Sequence, residues 1–299
     1  MDKKRLIITG ASGFIAHHLI KKAQEGNWFV IGVDKRPIPK NHFQPNEFIQ
    51  TDVFDLKYRD LHNIDAVIHL AWRTNIADCI RHPESSARDN INMTLHLLEV
   101  CREAKVKKFI FPSTASLYSH NPTPWTEDMV VEPIEPYSWH KLACEHLCEM
   151  YSKQYDVPTI ILRFFQVYGE LQREDTVISV FQKLIKAGKT LTLTETKNPK
   201  KCRSGQRDFV YAGDLAEAVM LAIKSKNVGK GEIINICSGK LNNIEEIAKA
   251  MGGKVGWIPT RPFDVDIHHG DNKKARLLLG FETKTNVIDW LGKNYVKRN

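Results

Sequence analysis

The chain has 299 residues, 42% hydrophobic and 26% charged, with a formal net charge of +8. That balance is ordinary for a globular protein, and the length suits one large α/β domain or a large domain with a smaller lobe. No apolar run approaches a membrane span, and the run in MDKKRLIITG stops at Thr9-Gly10, too early for a secretory signal. Six scattered cysteines (Cys79, Cys101, Cys144, Cys148, Cys202, Cys237) make neither a disulfide framework nor metal-ligand spacing, so no metal and a reducing cytoplasm are expected. Cys144 and Cys148, four apart, read as core filling. The basic balance is compatible with nucleic acid. Apart from 197–203 and Lys297-Arg298, however, the cations are scattered, and no nucleic-acid-binding motif is present. Neither nucleic acid nor a membrane is expected as a partner.

Leu6, Ile7 and Ile8 form a short apolar run suited to a buried parallel strand. Gly10 to Gly13 make a tight turn, and 14–24 carries helical spacing of Phe14, Ile15, Leu19 and Ala23. A strand passing through glycines into a helix points free N–H groups and a positive helix end at one place, which suits a pyrophosphate. The spacing is G-x-x-G-x-x-A (Gly10, Gly13, Ala16), and a glycine turn of this kind also occurs in α/β proteins that bind no nucleotide. A second strand, 29–33, ends at Asp34, about 20 residues after the glycine turn, where a carboxylate can accept from a ribose diol. A negative charge there favours NAD over NADP, although Lys35-Arg36 beside it could instead meet a 2′-phosphate.

Further strands are predicted at 48–52, ending at Asp52-Val53, at 66–70 in DAVIHLAW, and at 109–111. A long helical pattern covers 83–105. Strands alternating with helices imply a parallel sheet with right-handed crossovers, and ligands then gather beyond the carboxyl ends of the strands. Gly10, Asp34, Asp52, Ala71 and Ser113-Thr114 stand at those ends. After a proline-rich link, Pro136 suits the start of a helix that carries Tyr137 and Lys141 four apart on one face. A free phenol, with a pKa of about 10, is a poor base at neutral pH; a nearby ammonium is expected to bring it down. The same pair also arises on surface helices with no chemistry. Beyond it, a small mixed lobe is expected. Its helices are predicted at 215–223, 244–251, 271–279 and 287–295, with a strand at 233–237; His268-His269 are predicted as a surface turn.

The glycine turn, Asp34, HLAW, Asn90, FPSTASLY, YSWHK, RFFQVYG and RDFVYAGDLA occur in one order at compatible separations. In this the chain resembles the extended short-chain dehydrogenase/reductase family, specifically its nucleotide-sugar epimerases and dehydratases, from Leu6 to about Leu291. The resemblance implies a Rossmann-type doubly wound parallel sheet over 1–168, rejoined by part of the later chain, and a smaller sugar-nucleotide lobe over 169–299. It implies NAD held by Gly10, Gly13, Phe14, Ile15, Asp34, Lys35, Asp52, Val53, Leu70, Ala71, Asn90, Tyr137 and Lys141. It also implies a catalytic trio of Thr114, Tyr137 and Lys141, and a substrate site with Thr114, Gln166, Arg207, Arg261 and Asp264. A homodimer is implied through the helices at 90–105 and 137–154. Ala16, His140, Gln166, Glu170 and Phe263 depart from the family pattern, and the loop 194–203 is longer and more basic. All but Ala16 are expected near the sugar-nucleotide cleft.

In that family Tyr137 would take a proton from a sugar hydroxyl as the carbon beneath is oxidised against NAD. Dehydratases add an Asp-Glu pair directly after the Ser/Thr; here those positions are Ala115 and Ser116. A glutamate used by decarboxylases near this point is also absent. Epimerisation at carbon 4 needs nothing more, so a UDP-hexose 4-epimerase is the leading expectation. A ketosugar-nucleotide reductase and a non-catalytic NAD-sensing regulator are the alternatives.

Overall fold

The computed structural model describes residues 3–200, 202–260 and 265–295. The first half alternates as the apolar pattern requires: β1 (Arg5–Thr9), α1 (Phe14–Glu25), β2 (Phe29–Asp34), β3 (Glu47–Gln50), β4 (Ala66–His69), α2 (Ile76–Arg81), α3 (Pro83–Ala87), α4 (Met93–Glu103), β5 (Phe109–Thr114), α5 (Pro136–Tyr155) and β6 (Thr159–Phe164). The second half adds β7 (Gln166–Tyr168), α6 (Val177–Lys186), β8 (Leu191–Thr194), β9 (Gln206–Tyr211), α7 (Ala212–Lys224), β10 (Glu232–Ile236), β11 (Leu241–Asn243), α8 (Ile244–Ala250), β12 (Val255–Ile258), β13 (Ile267–His268), α9 (Lys273–Leu279) and α10 (Val287–Asn294).

Seven parallel strands form the main sheet in the order β3-β2-β1-β4-β5-β6-β10. Successive side chains of a strand face opposite ways. Leu6 and Ile8 accordingly pack with α1 and α7 on one side, while Ile7 packs with Leu97, Leu98 and Phe111 on the other. Both faces are covered, as a parallel sheet requires. The strand order turns back between β1 and β4, which opens a crevice at their carboxyl ends.

Four elements depart from the sequence expectation. The strand at 233–237 and the helix at 215–223 were expected in the small lobe, but β10 pairs with β6 and α7 packs along α1. The reason is that α7 is apolar around most of its circumference, with Leu215, Ala216, Ala218, Val219, Met220, Ala222 and Ile223 all buried. Such a helix needs a buried berth, not a one-sided one. The helix at 83–105 is broken into α3, a π turn at Arg88–Asn92 and α4. The wider turn carries the buried Asn90. His268 is no surface turn: it lies in β13 against Trp125, with ring centroids 5.1 Å apart, and burial lowers its pKa to about 3.

β9 centres a second sheet, flanked by β11 and β13 and also paired with β7; β8 and β12 form a two-stranded parallel ribbon beside it. Tyr168, Phe181, Leu193, Phe209, Ile247 and Trp290 make this part's own core. Cys144 and Cys148 are buried with free thiols in the main core. Among the described residues, no helix is long and apolar enough to cross a membrane.

Candidate active site

The glycine turn is shaped by contact with the neighbouring strand. Gly10 has φ +70, and a Cβ there would lie 2.6 Å from the Ala71 nitrogen and 2.7 Å from the Leu70 carbonyl carbon. Only glycine allows the exit of β1 to touch the exit of β4 in this way. Gly13 then starts α1 with no side-chain cap and no acidic residue in the first turn. Phe14 and Ile15, both half-buried, are the first two helical residues. Asp34, buried at the end of β2, accepts from the Ser12 N–H at 3.1 Å and from the Arg36 N–H at 2.9 Å. The Arg36 guanidinium lies 3.5 Å from the same carboxylate, while Lys35 is exposed. Asp52 caps the short turn Val53–Asp55 through the Phe54 N–H, and Val53 is buried beneath it.

A buried hydrogen-bond chain fixes the far wall of the crevice. The Ala71 N–H donates to the Thr9 hydroxyl at 3.2 Å, and that hydroxyl lies 2.9 Å from His69 Nδ1; Thr94, whose own proton goes to a backbone carbonyl, can only accept from the other ring nitrogen. The proton of His69 therefore sits on Nε2 and goes to Thr94 Oγ1 at 3.2 Å, and Thr94 donates onward to the Asn90 carbonyl at 2.8 Å. Burial drives the His69 pKa down to about 3, so the ring is neutral. Asn90 accepts from the Arg73 N–H at 2.9 Å, and its amide donates to the Arg73 carbonyl and to His140 Nδ1. Asn90 thereby staples the loop after β4 to the helix layer. His140 faces this staple, and Glu170 is bound at a different place. Glu170 accepts from the Tyr211 hydroxyl at 2.8 Å and from Trp290 Nε1 at 3.0 Å, and its carbonyl bonds His18.

Glu135 caps α5 by accepting from the Tyr137 and Ser138 N–H groups, with Pro136 in the first turn. This places Tyr137 at the mouth of the crevice and Lys141 one turn deeper. Tyr137 interacts with Thr114, at the end of β5; the Thr114 hydroxyl donates to Ser116 Oγ at 3.2 Å and accepts from the Ser116 N–H. Lys141 is buried, donates to the Pro112 carbonyl at 2.6 Å, and lies 3.6 Å from the Trp72 ring centroid.

The electrostatics differ from the sequence expectation. Burial pushes Tyr137 up to about 12; the Thr114 hydroxyl works against this, and so does the Arg173 charge, while Glu135 adds to it. Burial likewise pulls Lys141 down to about 7. The ammonium does not lower the phenol here because it is turned to Pro112 and to aromatic faces.

Beneath the site, Arg163 donates from Nε and Nη2 to the two oxygens of Glu145, at 2.9 and 2.6 Å, with both residues fully buried. Ser113 also donates to Glu145, and Arg163 donates to the Tyr118 hydroxyl, which donates to Asn235 on β10. Sequence reasoning missed this network; its one trace was Glu145 four residues after Lys141 on the same helix face. In the second sheet, Gln166 is paired with Phe209, so Gln166 and Arg207 share a face. Arg207 Nη1 donates to the Gln206 and Asp266 carbonyls. Arg261 and Asp264 lie outside the described residues.

The sequence profile of the NAD dependent epimerase/dehydratase family matches residues 6–237. The chain belongs to that family. A putative UDP-glucose 4-epimerase of Methanocaldococcus jannaschii is 29% identical, covering 98% of this chain and 99% of that protein. The structure of a UDP-N-acetylglucosamine 4-epimerase from Methanobrevibacter ruminantium, in complex with UDP-N-acetylmuramic acid, matches with a TM-score of 0.88 and 26% identity over 99% of this chain and 98% of that one. The structure of a UDP-glucuronic acid 4-epimerase from Bacillus cereus, in complex with UDP-glucuronic acid and NAD, matches with a TM-score of 0.85 and 28% identity over 98% and 99%. The residues present fit the family's cofactor. The first helix begins uncapped at a glycine cradle that a Cβ would fill, and a buried carboxylate stands at the end of the second strand.

Proposed function

We propose that the chain epimerises a UDP-hexose at carbon 4 through a transient 4-ketosugar, with NAD retained between turnovers. One observation carries this reading. Thr114 and Tyr137 meet at the end of β5, with Lys141 one helical turn along α5, while Ala115 and Ser116, next in the chain, supply no acid or base for elimination.

In this reading the N–H groups of Phe14 and Ile15 hold the NAD pyrophosphate, with Gly10 and Gly13 giving it room in a turn closed by the Gly13 N–H bond to the Gly10 carbonyl at 3.0 Å. Asp34 takes the adenosine ribose, with Lys35 at its edge. Asp52 and Val53 border the adenine, and Leu70, Ala71 and the Asn90 staple wall the nicotinamide half, whose ribose Lys141 binds. NAD bound there would supply the acceptor for the hydride of sugar carbon 4 and, as NADH, the donor that returns it to the other face. Tyr137 removes the proton from the 4-hydroxyl and returns it, and Thr114 holds that oxygen and relays the proton. Because burial disfavours the phenolate, Tyr137 needs a cation at its oxygen to act as a base, and Lys141, one helical turn away, is the group placed to move there. Arg207, with Gln166 beside it and Arg261 and Asp264 from the 261–264 segment, grips the substrate diphosphate, since a guanidinium matches phosphate oxygens. The division at residue 168, a homodimer through the outer faces of α4 and α5, and a cytoplasmic location complete the proposal; exposed Leu95, Trp139 and Tyr155 on those helices support the dimer.

The test is to incubate the purified chain with UDP-glucose, UDP-N-acetylglucosamine and UDP-glucuronate, add no cofactor, and separate the products. The reading expects the 4-epimer of one of them. A 6-deoxy ketosugar, or turnover only with stoichiometric NADH, would replace epimerase by dehydratase or reductase.

A further inference from the structure

The feature that the epimerase reading leaves unused is Trp72, just beyond β4. Its ring centroid is 3.6 Å from Lys141 Nζ, and the Phe111 centroid is 4.7 Å from the same nitrogen. Trp72 and Phe111 stand edge to face at 5.5 Å, so the two rings wall one side of the ammonium. The Pro112 carbonyl, at 2.6 Å, accepts one of its protons. Glu145, Cys144 and Cys148 are the other titratable groups whose charge reaches Lys141, and burial pushes both thiols up into the neutral form. His69, whose ring lies 6.2 Å from Trp72, is neutral as well. The indole Nε1 is buried with no hydrogen-bond partner. A residue present only to fill space would be better made from a side chain with no polar atom, because a buried orphan donor is costly. Tryptophan instead offers the best aromatic face for a cation.

We propose that Trp72 is a positioning residue for Lys141: with Phe111 it cages the ammonium against the Pro112 carbonyl and releases it when an oxygen acceptor enters the crevice. A lysine so held is kept ordered and dry, yet bound mainly by ring faces that a ribose diol or a phenolate can outcompete. The role of Lys141 itself rests on the proposed function, so the test reads the lysine directly as well as through turnover.

The full-length chain is labelled with 13C at the lysine ε-carbon, and the Lys141 signal is assigned by its loss in Lys141→Arg. In the parent chain that signal is expected upfield of the other lysines, because the ε-carbon is bonded to the Nζ that lies 3.6 Å from the indole centroid, and it moves toward them when NAD is added. Trp72→Leu keeps apolar volume but removes the ring, and should abolish both the upfield position and its response to NAD. Trp72→Phe should restore most of each. In turnover, Trp72→Leu lowers kcat roughly 3- to 30-fold with KM little changed, as expected for a lost cation–π contact, and Trp72→Phe recovers most of the rate. A Lys141 signal among the ordinary lysines in the parent chain, or one unchanged in Trp72→Leu, overturns the proposal. Because those spectra are read without substrate, they decide the matter even for a chain that fails to epimerise any sugar.

Discussion

Thr9, Gly10, Asp34 and Thr114 stand at the ends of long-range parallel strands, where register, backbone contact and a buried polar network leave each of them one place to be. Gln166 and Arg207 stand instead on a small sheet of short strands, in a half of the chain that also carries the exposed cations Lys197, Lys200 and Arg203. In the proposed reading the first half holds a fixed ligand over a reacting pair, and the second presents side chains that differ with the substrate. Changes in the first half should therefore appear in stability or kcat, and changes in the second half in KM.

The severest challenge to the first half is Glu145→Gln. It leaves the Arg163 charge buried beside a neutral amide, and loss of one partner of such a pair costs about 3–5 kcal/mol. Denaturant melts check this; a loss under about 1 kcal/mol would mean that the network does not anchor the site. Tyr137→Phe should keep the fold and the NAD content of the purified protein while cutting kcat about 100-fold or more. Near-normal turnover would remove Tyr137 from the chemistry.

Arg207→Ala sharpens the contrast from the other side. A lost guanidinium–phosphate bond, worth about 1.5–3 kcal/mol, should raise KM for the UDP-sugar roughly 10- to 100-fold with kcat nearly unchanged. Should kcat fall and KM hold, the two halves are not divided as described. The smallest effect is on acid stability. The unfolded His69 imidazole takes up a proton near pH 6.5, whereas the folded ring stays neutral down to about 3. Within that window the unfolded state binds more protons, so stability falls as pH falls, by up to about 1.4 kcal/mol per pH unit from this residue. Urea melts between pH 7 and pH 5 should show a slope of that sign, and His69→Gln should reduce it by the share of one histidine, leaving the shares of His17 and His268.

The same contrast governs what could be read from the sequence. The first five strands, the glycine turn and the Tyr137–Lys141 helix were legible because buried parallel strands and glycine-restricted turns leave strong local patterns. The placement of β10 and α7 was not, since an apolar strand and an apolar helix look alike wherever they pack. Local spacing put Tyr137 beside Lys141 but could not show that Trp72, 69 positions earlier in the chain, holds the ammonium away from the phenol. Nor could it reveal that Glu170 is committed to Tyr211 and Trp290, because those partners come together only in three dimensions.

Everything turns on the sugar carbon being oxidised and reduced within one closed site. The direct measurement uses the UDP-sugar that the chain turns over, carrying deuterium at carbon 4, with no cofactor added. The account predicts a 4-epimer that keeps the deuterium on carbon 4. Loss of the label to solvent, or its appearance in free NADH, would contradict it.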